Sequence, residues 1–162
     1  VEFIIARHHG LSEWKVMKSC RQFFFLFAFL LLAVAPAFAG GWGDDYKAAL
    51  ADGAKQNKNI LLDFTGSDWC GWCIKFKKET FNQPAFKDFA DKNLVLVEVD
   101  FPQGKTLPSA IKKQNDQLQD QYQVQGFPSL VLLDPQGKII KQQSGYIPGG
   151  PKGFIDWVNA PK

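Results

Sequence analysis

The run KNILLDFTG, residues 58–66, constrains this chain most: it is short, almost continuously apolar, and closed by Gly66. Such a run reads as a β-strand buried on both faces. A strand of that kind belongs at the centre of a sheet, and the sheet then needs helices on both sides.

The flanking segments supply them. Tyr46, Ala49, Leu50, Gly53 and Ala54 recur at helical spacing, with acids at the start and lysines toward the end, as the helix dipole prefers. After the strand, WCGWCIKFKKETF (69–81) sets Cys73, Phe76 and Thr80/Phe81 against Lys75, Lys77, Lys78 and Glu79, a helix with one solvated face. NQPAFKDFA (82–90) is a second short helical piece with Asn82 as its expected cap. LVLVEVDF (94–101) is the next strand, and PQGKTLPSAIKKQ (102–114) a surface loop leading into a helix whose thin buried stripe is Leu118 and Tyr122. GFPSLVLLDPQGKIIKQQSG (126–145) makes two strands joined by a type I turn, with Pro135 at i+1 and Gly137 at i+3. In PKGFIDWVN (151–159), Phe154, Ile155, Trp157 and Val158 fall at helical spacing. The order, parallel crossovers first and an antiparallel hairpin last, is an α/β architecture with a central mixed sheet and helices on both faces.

Residues 17–39, MKSCRQFFFLFAFLLLAVAPAFA, have the three parts of a secretory signal: a basic start at Lys18 and Arg21, an apolar core from Phe23 to Ala35, and small residues at Ala37 and Ala39. Cleavage is expected after Ala39. The core falls short of the ~20 apolar residues of a membrane span, although an uncleaved signal would leave the chain anchored. Residues 1–16 precede Met17 and fit a mis-assigned start codon better than an export signal. The expected organisation is a removable extension, 1–39, and one domain, 40–162, placed in the periplasm or otherwise outside the cytoplasm. Removal takes away Cys20, His8 and His9, together with four of the 19 basic and two of the 16 acidic residues. The near-neutral remainder suggests no nucleic-acid surface.

What remains is one cysteine pair, Cys70 and Cys73, at the expected helix start. A bridge between residues three apart closes a very small loop and staples almost nothing, which argues against a purely structural disulfide. Zinc and iron–sulfur centres want four ligands, and two cysteines without histidine do not supply them. A c-type haem needs histidine where Ile74 stands. Copper(I) held by two thiolates stays open, as does a binding protein whose cysteines are incidental.

A strand, then WCGWC at a helix start, then a distant GFPS entering a strand hairpin: this combination resembles the thioredoxin superfamily. LLDFTGSDWCGWC…K…ETF is similar to exported thioredoxin-like proteins and to the C-terminal thioredoxin-like domain of bacterial transmembrane thiol reductases. The likeness runs from about Tyr46 to Val158 and implies the thioredoxin fold. At a first helical turn, free N–H groups and the dipole favour an anion, so Cys70 is expected to ionise readily and attack a partner's disulfide. Cys73, one turn along, then resolves the mixed disulfide. The resemblance assigns the same roles, Cys70 as exposed nucleophile and Cys73 as buried resolver of a redox-active disulfide. Asp63, an acid inside an apolar strand, is expected to have a raised pKa and to serve as proton acceptor for the resolving thiol, or else to be a solvated strand-end acid. Pro128 matches the superfamily's cis-proline, which would leave the Phe127 backbone free to pair with an extended substrate. Trp69 is expected to flank the site. Gly71 and Trp72 stand between the sulfurs, and Trp72 either shapes the docking surface or packs on the domain. Asp68 and Lys77 read as surface charges. The implied activity is thiol–disulfide exchange in the reductase direction. Its partners are thiol- or disulfide-bearing proteins, with a membrane thiol reductase as electron donor. The domain is expected to be monomeric and to need no cofactor.

Overall fold

A computed structural model describes residues 41–161. The expected signal and extension, 1–39, lie outside the described residues. The elements run α1 (Tyr46–Gln56), β1 (Asn59–Thr65), α2 (Gly71–Phe76) continuing as a π-helical turn (Lys77–Phe81), α3 (Pro84–Asn93), β2 (Leu94–Asp100), α4 (Ser109–Gln121), β3 (Ser129–Leu133), β4 (Ile139–Ser144) and α5 (Gly150–Asn159). The strands form one sheet in the order β2-β1-β3-β4. β1 pairs parallel with β2 and antiparallel with β3, and β3 pairs antiparallel with β4. This is the thioredoxin fold.

β1 is central and buried along its length, apart from a half-buried Asn59. Side chains alternate across it. Ile60, Leu62 and Phe64 face a core shared with Ala49 of α1 and Leu118 of α4. Leu61 faces the other core, with Phe76 of α2, Phe81 of the π turn, Phe86 of α3 and Phe154 of α5. Helices therefore cover both sides of the sheet. α1 begins where the Asp45 carboxylate accepts the Ala48 N–H at 2.9 Å. It can lie close to β1 because Gly53 has no side chain: a Cβ there would sit 2.8 Å from Ile60.

Two local features differ from the expected ones. The cap of α3 is Gln83, with no side-chain bond and Pro84 in the first turn, while Asn82 ends the preceding π turn. Pro84 fixes that boundary, since proline fits the first helical position and removes only an N–H that has no helical partner there. The helix after the cysteines also widens to π geometry at Lys77, which apolar spacing does not reveal. The β3–β4 turn forms as expected: the Gly137 N–H reaches the Asp134 carbonyl at 2.9 Å, and Gly137 holds φ +81.

Candidate functional site

Cys70 is the N-cap of α2, in extended conformation with φ −81 and ψ 103. Its sulfur is bonded to that of Cys73 at 2.07 Å, with the Cα atoms 5.2 Å apart, and it accepts the Cys73 N–H at 3.2 Å. An amide therefore already points at the sulfur expected to carry charge once the disulfide opens. Both cysteines are buried, Cys70 at 7% and Cys73 at 4% exposure, a narrower contrast than exposed nucleophile and buried resolver would suggest. What stands open is the rim: Trp69, Trp72 and Ile74 are exposed large apolar residues. A Cβ on Gly71 would meet nothing within 4 Å.

The loop from β1 to Cys70 is held from several sides. Gly66 accepts the Cys70 N–H at 2.9 Å, and a Cβ there would lie 2.5 Å from the Trp69 ring, so any side chain would displace the indole. The Asp100 carboxylate takes the Ser67 N–H at 2.9 Å on one oxygen; the other takes the Ser67 hydroxyl at 2.7 Å and the Lys105 ammonium at 2.8 Å. Burial pushes the Asp100 carboxyl up, but the Lys105 and Ser67 hydrogen bonds outweigh it and leave the pKa below the ordinary value. Asp68, expected to be a mere surface charge, clasps the next loop: its oxygens accept the Gln103 N–H at 3.0 Å and the Gly104 N–H at 2.6 Å. These two amides hold its carboxyl below the usual range. The Trp69 indole N–H donates to the Phe101 carbonyl at 2.8 Å.

Trp69 also meets Phe127 edge to face, with ring centroids 6.0 Å apart, and Phe127 stacks on Phe101 at 5.0 Å. Trp69 and Phe127, the aromatic residues expected at the site, thus form one wall with Phe101, and Trp69 joins it to Cys70 as its neighbour in the chain. The Phe127–Pro128 peptide is cis, and Pro128 is buried. Trp72 turns elsewhere. Its ring lies 5.7 Å from that of Tyr146, and the Lys75 ammonium sits over both rings, at 5.0 and 5.1 Å. The Tyr146 hydroxyl donates to Glu79 at 2.6 Å.

Asp63 falls on the α2 face of the sheet, by strand alternation from Leu61. It is 5% exposed, and its Oδ1 has no hydrogen-bond partner. Burial is the main cause that raises its pKa from an ordinary 3.8 to about 8, with Glu98 adding to it and Lys77 opposing it. Glu98 is its register partner on β2. Lys77, the other expected surface charge, holds the Glu98 Oε1 at 2.6 Å.

Sequence reasoning missed Ser67, Asp100, Lys105, Phe101 and Glu98. Ser67, Asp100 and Phe101 act through partners about thirty positions away, Glu98 through strand register and Lys105 through Asp100, and only Asp100 left a signal, as an acid closing an apolar strand. Among the described residues no helix is long and apolar enough to cross a membrane.

Comparison with known proteins agrees with this geometry. A family model described as a thioredoxin-like domain matches residues 46–159. The chain is 41% identical over 117 residues to the disulfide bond reductase DsbH of Chlamydia pneumoniae, covering 72% of this chain and 70% of the relative. It is 30% identical over 108 residues to the thiol:disulfide interchange protein DsbD of Actinobacillus pleuropneumoniae serotype 5b, covering 65% of this chain but 17% of that protein. Among solved structures, one described as DsbH oxidoreductase superposes with a TM-score of 0.68 at 42% identity, over 73% of this chain and 81% of that one.

Proposed function

This chain belongs to the thioredoxin-like family, and we propose that within it the protein is an extracytoplasmic thiol–disulfide oxidoreductase working as a reductase. The observation that carries the reading is the Cys70–Cys73 bridge at a helix start, with the Cys73 amide already donating to the Cys70 sulfur. The reductase direction is supported by the likeness to a relative named as a disulfide bond reductase.

In the reduced protein the Cys70 thiolate is stabilised by that amide and by the other free N–H groups of the first turn. It attacks one sulfur of a partner's disulfide, displacing the other as a thiolate that takes a proton. Cys73 then gives its proton to the Asp63 carboxylate and attacks the Cys70 sulfur. The bond from Cys70 to the partner breaks, the partner leaves as its second thiol, and Asp63 returns the proton. Two electrons pass from the cysteine pair to the partner, and no cofactor is required.

Trp69, Phe127 and the flanking Gly71 and Trp72 form the surface on which a partner segment lies, with the backbone before Pro128 offered for strand-like pairing. The signal at 17–39 delivers the domain outside the cytoplasm and is cut after Ala39, leaving 40–162. A membrane thiol reductase restores the dithiol after each turnover.

Insulin reduction in dithiothreitol tests the reading. Wild type should shorten the lag before precipitation, Cys70→Ser should behave as buffer alone, and Cys73→Ser should accumulate a mixed disulfide. Equal lags for wild type and Cys70→Ser would remove the exchange activity.

A further inference from the structure

Asp63 is buried with an orphan oxygen, and among the described residues the charges that act on it come from β2 and the π turn. From β2 come its register partner Glu98 and, two residues along on the same face, Asp100. From the π turn comes Lys77. The cysteine pair belongs to the helix on this face. β3 places Leu130 opposite Asp63, and α3 and α5 bring Phe86 and Phe154 to this core, all apolar. Asp100 is already occupied by Ser67 and Lys105. The remaining pair, Lys77 and Glu98, is locked at 2.6 Å, with side chains 43% and 25% exposed, and it touches water where Asp63 does not.

We propose that Lys77 and Glu98 are positioning residues which together set the pH at which Asp63 can take the proton of the resolving Cys73 thiol. The proposal rests on the reading of Asp63 as proton acceptor. Glu98 lies beside Asp63 across a strand spacing of about 4.8 Å, so its negative charge opposes ionisation of the buried carboxyl. Lys77 favours ionisation, and by holding Glu98 it also weakens that opposition. The two effects have opposite signs at one carboxyl, and the balance fixes how much of Asp63 is available as a base near neutral pH. In that step the Cys73 S–H bond breaks and its proton joins the Asp63 carboxylate, the freed electron pair forms the new bond to the Cys70 sulfur, and the bond from Cys70 to the partner breaks, its sulfur leaving as a thiolate that takes the proton back from Asp63.

The test follows the Asp63 carboxyl by carbon-13 NMR titration in the oxidised protein, where neither cysteine titrates. Glu98→Gln should lower its midpoint by about one pH unit, and Lys77→Met should raise it by about as much. The double variant should fall between them, and Lys77→Arg should restore the wild-type midpoint. Shifts of the same sign, or none, would overturn the proposal. The pH profile for release of a partner trapped on Cys70 should move with the carboxyl midpoint in each variant. A moving carboxyl with an unmoved release profile would overturn it too, by taking Asp63 out of the proton's path. That result would leave the Cys70→Ser assay intact, so it is distinguishable from failure of the exchange reading itself.

Discussion

Replacing Asp63 by asparagine keeps the shape of the side chain and removes its titration. In the native protein the carboxyl holds its proton up to about pH 8, whereas in the unfolded chain it loses it near 3.8. Between those values the native state binds the extra proton, so the stability of the wild type falls as pH rises through this window. At about 1.4 kcal/mol per pKa unit the full effect is about 6 kcal/mol, of which roughly 4 falls between about pH 4 and 7. Other groups titrate in both proteins and cancel in the difference. Urea unfolding of the oxidised forms at about pH 5 and about pH 8 should therefore show Asp63→Asn gaining on the wild type as the solution becomes more alkaline. A difference that stays constant across that range would mean that Asp63 ionises like a solvated carboxylate, and the proton-acceptor role would lose its physical basis.

Asp100→Asn should behave in the opposite way. It turns an amide N–H toward donors on Ser67 or Lys105, and should cost about 2 kcal/mol at neutral pH. Because the carboxyl of Asp100 lies below its ordinary value, the stability it supplies is present at neutral pH and lost as pH falls through that lowered value, so the gap to the variant should close in acid. Gly66→Ala places a methyl against the Trp69 indole and should cost about 1–3 kcal/mol in urea unfolding. Insulin reduction should fall with it; full activity would mean that the position of Trp69 does not matter.

The periodicities that marked the strands and helices survive in the structure because burial enforces them: the apolar run at 60–64, interrupted by Asp63, is the middle strand, and Leu118 and Tyr122 are both buried. Asp63 was legible as an anomaly, since an acid among Leu61, Leu62 and Phe64 has nowhere polar to go. Its neighbours were not. Glu98 is 35 positions downstream and meets Asp63 only once the parallel register Asn59↔Leu94 is fixed, and nothing local in LVLVEVD distinguishes Glu98 from a solvated strand residue. Lys77 is a partly exposed charge, as expected, but its partner was hidden for the same reason. Helical spacing placed it on the wet side of α2, and neither the π turn nor its ion pair with Glu98 is written in the spacing of apolar residues. Asp68 looked like a surface charge and is one, yet its acceptors face the amides of a loop that no local pattern brings near.

One margin of the sheet is also closed. The Gly43 N–H donates to the Leu96 carbonyl at 3.0 Å and its carbonyl takes the Glu98 N–H at 2.8 Å, while the Trp42 ring lies 5.1 Å from Phe81. These residues lie just beyond the expected cleavage point and fill part of the hydrogen-bonding row that β2 would otherwise present to another chain. A domain whose family exchanges disulfides with other proteins is thereby kept, along that stretch of its border, from pairing with them strand to strand.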